Sequence, residues 1–217
     1  MEDFIEEIIV NEQLFSICVD VNGYYVEGNE GDVVQVTEIP SVLNIKHLFA
    51  YKYNKETQSL ELDEDKLNEF EQEEFQILIN SKLQELSEKC QEGIISGIEY
   101  NGEHFSYTLT DQNNISNTFQ LAMSTGLDVP YHADGQDCRL YSKEEIASIY
   151  FAQETNVTHH TTYYNQLKQY VLTLTTKEEL DSIEYGQELT GTYLETYNEI
   201  MEQASIIATT YVSAQSL

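Results

Sequence analysis

From Ile146 to Leu174 the sequence alternates steps of four and three. The positions are Ile146, Tyr150, Gln153, Val157, His160, Tyr164, Leu167, Val171 and Leu174, seven of the nine apolar or aromatic. An α-helix brings such positions onto one face, and the spacing is that of a heptad seam. Ser142-Lys143-Glu144-Glu145 ahead of it is a capping box, in which Ser142 and Glu145 satisfy each other's orphan amides. Thr176-Lys177-Glu178-Glu179 restarts a helix, which Gly186 interrupts. Tyr193, Tyr197, Ile200, Ala204, Ile207 and Tyr211 then repeat the four-three alternation. Two arrangements satisfy these seams: helices packed within the chain, or a partner helix from another chain. A helix packed only inside a globular domain shows a wider stripe, so the narrow seam suits a partner. Tyr150, Tyr164, Leu167, Tyr193, Tyr197, Ile200, Ile207 and Tyr211 are therefore the candidate assembly interface.

The segment Asp63 to Cys90 has no Gly or Pro, and Leu67, Phe70, Phe75, Leu78, Leu83, Leu86 and Cys90 approximate an apolar stripe. It reads as one helix of about 42 Å, with Glu85 and Lys89 in the favourable order for an ion pair. Its acidic first half predicts solvent exposure or a linker. Before it, Phe15, Ile17, Val19 and Val21 alternate with polar residues, and Asn22-Gly23 supplies a turn into Tyr24-Tyr25-Val26. A second pair runs from His47 to Tyr53 and through Leu60 and Leu62. After the helix, Asn101-Gly102 and Asp134-Gly135 predict two further hairpins. Between these, Asp111 is placed to cap a helix carrying Ile115, Phe119 and Met123 that Gly126 ends. The expected fold class is α+β: a small N-terminal antiparallel β module (1–62), an acidic connecting helix (63–92) and a helical C-terminal domain with short hairpins (93–217).

Charge and composition restrict function. Ten Lys plus Arg against 39 Asp plus Glu leave a formal charge of −29 over 217 residues, which argues against nucleic acid and anionic membrane as partners. No apolar run is long enough to span a bilayer, and the acidic opening residues are unlike a secretory signal. At 41% hydrophobic, the chain can bury a core. Cys18, Cys90 and Cys138 are isolated, which reads as reduced thiols, and Arg139 is the single arginine. The five histidines lack zinc spacing, and His159 and His160 project about 100° apart on a helix. No metal or cofactor is expected to be needed for folding. No nucleophile, zinc-protease or phosphate-loop motif occurs, so no residue is assigned to catalysis and the chain reads as a non-enzyme. Sixteen tyrosines without a tryptophan suit protein interfaces. The acidity also admits an inhibitor that mimics DNA.

Three blocks carry a resemblance. They are His104-Phe105-Ser106 with Thr110-Asp111-Gln112-Asn113-Asn114-Ile115, then Pro130-Tyr131-His132-Ala133-Asp134-Gly135 through Cys138-Arg139-Leu140-Tyr141-Ser142, and His159-His160-Thr161-Thr162-Tyr163-Tyr164-Asn165-Gln166-Leu167. From about Ser81 to Met201 the chain resembles an uncharacterised domain family of bacteriophage and prophage proteins encoded near tail-fibre and baseplate genes. The resemblance implies a virion structural protein of tail, baseplate or tail fibre, made in the bacterial host cytoplasm. Its partners would be other tail proteins and further copies of itself, with three-fold symmetry as in many fibres. A non-virion chaperone of tail-fibre assembly is the alternative. In that context Arg139 is expected to pair with a nearby buried carboxylate.

Overall fold

The computed structural model describes the backbone of 3–10, 13–20, 23–28, 33–34 and 51–54, together with residues 47, 50, 57 and 59–215. The chain divides into two compact units, 1–77 and 78–217, with one long helix contributing to both.

In the first unit β1 (Asp3–Val10), β2 (Gln13–Asp20), β3 (Gly23–Gly28) and β4 (Val33–Val34) form an antiparallel sheet in chain order. The alternation around Phe15 is strand β2, and Asp20 pairs with Gly23 where the Asn22-Gly23 hairpin was expected; Asn22 itself lies outside the described residues. Strand β1 was not read from the sequence. Its partnership with β2 includes an irregularity between Phe4 and Glu6, which breaks the period that sequence reasoning relies on. The second hairpin is β5 (Tyr51–Asn54) with β6 (Ser59–Leu62), Tyr51 opposite Leu62. It starts later than expected, because His47 sits in a helical turn with its ring stacked on Phe70 at 5.9 Å.

Helix α1 (Glu64–Ser96) outruns the expected Cys90 by six residues. Its acidic start is exposed as expected, whereas Ile79, Leu86, Cys90 and Ile94 are buried, a stripe of period near 3.6. Leu78, placed on the apolar stripe by the sequence, is exposed. Lys89 pairs with Glu92 at 2.8 Å, one turn ahead, and not with Glu85. Gly97, at φ +75°, ends the helix and turns the chain into β7 (Ile98–Tyr100).

Strand β7 pairs with β8 (Glu103–Phe105) across Asn101 (φ 51°) and Gly102 (φ 80°), the two positive φ values a type I′ hairpin needs. Helix α2 (Leu109–Thr125) is capped by Thr108, not by Asp111. Asp111 takes the third helical position, where its carboxylate accepts from the Thr108 amide at 2.9 Å. Gly126 ends it in the left-handed conformation as expected. The third hairpin pairs β9 (Val129–Tyr131) with β10 (Arg139–Tyr141), and the capping box of Ser142 and Glu145 opens α3 (Lys143–Val171). Helix α4 (Lys177–Asp181) begins with the reciprocal bonds of Thr176 and Glu179, and α5 (Gly191–Gln215) packs on α3. The core of this unit joins Cys90 and Ile94 of α1 to Phe105, Tyr107, Ile115, Tyr141, Ile146 and Ile149. The α+β class is the observed one.

Candidate assembly interface and its polar network

The α3 seam is occupied inside the chain. Leu167 is wholly buried, Tyr150 stacks on Phe119 at 4.3 Å, and the Tyr164 hydroxyl donates to the Leu83 carbonyl at 3.4 Å. Gln153, the polar position of the seam, donates to the carbonyls of Phe105 and Ser106 at 3.1 and 3.2 Å and so anchors α3 to the end of β8. Tyr150, Tyr164 and Leu167 therefore make packing contacts within the second unit. The physical reason is the breadth of the α3 contact surface. Ala147, Ile149, Thr162 and Tyr163 are buried beside the seam, so neighbours cover α3 on more than one side.

Helix α5 divides its candidates. The row Tyr197, Ala204, Tyr211 is flanked on one side by Leu194, Met201, Ala208 and on the other by Tyr193, Ile200, Ile207. Either flank completes a four-three alternation. The fold turns the first flank inward: Leu194, Tyr197, Met201, Ala204, Ala208 and Tyr211 are half-buried. Tyr193 lies 5.8 Å from Tyr170, and Tyr211 lies against Phe119 and Phe151 at 5.6 and 4.9 Å. Ile200 and Ile207 stay exposed, at 39% and 63%. Of the eight sequence candidates, these two are the ones that keep an open face.

Beneath α5, the adjacent histidines of α3 reach different neighbours. His159 Nδ1 lies 2.6 Å from the Tyr197 hydroxyl of α5, and His160 Nδ1 lies 3.0 Å from the Tyr185 hydroxyl. Cys90 of α1 donates its thiol hydrogen to the His160 carbonyl at 3.3 Å. The Tyr163 hydroxyl donates to the Gln187 carbonyl at 2.7 Å and accepts the Gly186 amide at 2.9 Å, which fixes the segment after α4. Burial holds both imidazoles below their ordinary range, and His160 is lowered further by His159. Burial likewise pushes up the Cys90 thiol, so it stays protonated and a poor nucleophile. The network is neutral and structural. Among the described residues, no three His, Cys, Asp or Glu side chains are placed to hold one metal ion. The sequence placed His159 and His160 on different sides of one helix, but it gave no sign of their tyrosine partners.

Gly93 explains why α1 tolerates a glycine there. A Cβ at that position would stand 2.3 Å from Cε1 of His160. Gly93→Ala gains about 1 kcal/mol of helix propensity, yet it forces the ring off Tyr185. The expected net result is a destabilisation of about 1–2 kcal/mol, measured by urea unfolding. An alanine variant as stable as the wild type would show that the ring moves freely.

Two further polar groups tie the hairpins together. Arg139 meets Glu103 at 2.8 Å and Glu145 at 3.3 Å and lies over the Tyr141 ring at 3.4 Å. All three ionic side chains are part-exposed, so the expected buried carboxylate partner is corrected to a surface cluster. Arg139 lowers the Glu103 carboxyl, and the Ser142 amide lowers that of Glu145. Asp134 accepts the Ser106 amide at 3.1 Å and its hydroxyl at 3.2 Å, while Asp111 accepts the same hydroxyl at 3.1 Å. These bonds hold the 132–138 loop against β8. Desolvation, reinforced by the two carboxylates, pushes the nearby Tyr131 hydroxyl up to about 12.

Residues 78–185 match a family described as a domain of unknown function (DUF4376). The matching segment opens at the first residue of the second unit and closes at Tyr185, before α5. No curated protein and no solved structure matches the chain.

Proposed function

We propose that this protein is a structural component of a bacteriophage tail, baseplate or tail fibre that acts by protein–protein assembly and has no turnover of its own. The viral context rests on the resemblance carried by the blocks around His104, Tyr131 and His159. The assembly role rests on one observation: α5 carries Ile200, Ile206 and Ile207 exposed at 39%, 48% and 63% on a helix with an otherwise occupied inner face. Large aliphatic side chains recurring along one helix mark a contact surface when they stay in water.

Mass spectrometry of purified virions tests the location. Stoichiometric recovery of the protein is expected. Its absence from particles, with recovery on a tail fibre in the lysate, would make it an assembly chaperone. Light scattering of the isolated protein tests the expected homo-oligomer. Tyr197 is unsuited to an interface variant, because its hydroxyl bonds His159 within the chain. Ile200→Asp with Ile207→Asp is the direct variant. Each charge should weaken a contact that desolvates it by roughly 2–4 kcal/mol, so incorporation into particles is expected to be lost while the melting temperature holds. Normal incorporation of the double variant would exclude α5 as the assembling surface.

A further inference from the structure

Helix α5 is held differently from the rest of the second unit. Among its described side chains, those of residues 191–211, none is buried, whereas α3 buries eight residues. Its inner row runs antiparallel to α3 in a groove rimmed by α2. Tyr193 meets Tyr170, Tyr197 meets Tyr163 and His159, and Tyr211 meets Phe151 and Phe119. Among the described residues, one hydrogen bond and no ion pair link α5 to α2 or α3: the Tyr197 hydroxyl with His159 Nδ1. The chain leading into α5 is fixed as far as Leu189, which is buried next to the segment that Tyr163 holds. Gly191 follows at φ +56°, with open space where a Cβ would stand. The junction is thus a single glycine in a left-handed conformation, and the helix beyond it depends on one narrow seam.

We propose that α5 opens from α3 about Gly191 as a unit and exchanges between two copies of this chain, each α5 filling the other's groove. The occupant follows from the fit. The groove already holds this helix, so the α5 of a second copy makes the same contacts there. Exchange leaves both cores intact and changes only the hinge and the entropy of association. A net charge of −29 opposes the pairing of copies, so added salt favours the dimer. The proposal goes beyond the assembly reading, whose surface is the outer row of Ile200 and Ile207; the inner row carries this one.

Hydrogen exchange and sedimentation equilibrium of the full chain test it. The α5 amides are expected to exchange at least about tenfold faster than those of α3, and equal protection of the two helices overturns the proposal. Gly191→Ala strains the closed hinge, and opening relieves that strain. It should favour exchange by about 5–30-fold per hinge and shift the chain toward a dimer. Gly135→Ala, at φ +69° in open space away from the hinge, is strained alike in both states and should leave self-association at its wild-type level. A peptide of residues 191–215 should compete for the groove and convert the Gly191→Ala dimer to monomer. The same peptide with Tyr197→Asp and Met201→Asp should not. A Gly191→Ala chain no more dimeric than wild type, or a dimer that the peptide leaves intact, overturns the proposal. So does a dimer abolished by Ile200→Ser with Ile207→Ser, because copies would then meet through the outer row, and that result upholds the assembly surface instead. Exchange that survives the serine variant supports the proposal and leaves the outer row to other partners.

Discussion

Gly97→Ala is expected to destabilise the second unit by at least about 3 kcal/mol. Gly97 holds φ +75°, and a Cβ there would stand 1.9 Å from the Phe105 carbonyl oxygen and 2.8 Å from Cα of Ser106. Both are backbone atoms, so no rotamer change relieves the contact. Relief requires moving β8 away from the end of α1. That movement breaks the bond from the Tyr107 amide to the Ile95 carbonyl, now 2.9 Å, and withdraws Phe105 from the core, where it is 3% exposed. A suitable control is Gly102→Ala, at φ +80° with open space around the site. It should lose only the left-handed penalty of about 1–2 kcal/mol. Thermal unfolding should therefore place Gly97→Ala about 6–12 °C below wild type and well below the control. Equal melting of the two variants would show that the hairpin yields without loss.

Acidification is expected to loosen the contacts of α5 and of the 182–190 segment with α3. His159 and His160 titrate below the ordinary imidazole value of 6.5 because they are buried and adjacent. The groups facing them are Cys90 from α1, Tyr163 from α3 itself, Tyr185 from the segment after α4 and Tyr197 from α5. As pH falls through about 6.5, unfolded imidazoles take up protons while the folded ones resist. The unfolded state then binds more protons, so stability falls with pH and stops falling below the folded values. Glu103, Glu145 and Glu179 are held below their ordinary 4.5 by Arg139, Ser142 and Thr176 respectively, and their contributions are lost only in that lower window. Melting temperatures should thus decline between about pH 7 and 5, before carboxylates protonate. In the His159→Gln, His160→Gln variant that slope should vanish, from a lower starting stability. The same slope in the variant would assign the acid sensitivity elsewhere.

What the sequence determined by itself was local. Asn101-Gly102 specified a type I′ turn, because the two residues themselves must adopt positive φ. Ser142 with Glu145 and Thr176 with Glu179 specified helix starts, because each cap is closed by groups three residues apart. The unbroken run after Asp63 specified α1, and hairpins interleaved with helices gave the α+β class. Even here, neighbouring options competed: Thr108 and Asp111 are both competent caps, and their reciprocal bonds decide which one opens α2. Tertiary structure decided everything that depends on which surfaces meet. Helix α1 runs through Gly93 because the His160 ring fills the space that a Cβ would need. Tyr185 and Tyr197 meet histidines 25 and 38 residues away, a pairing that no local spacing encodes. In α5 the rows through Met201 and through Ile200 satisfy one periodicity equally well. Only the shape of the surface offered by α3 turns Met201 inward and leaves Ile200 and Ile207 in water, because periodicity fixes the angle between side chains along a helix and not the rotation of that helix against its neighbour.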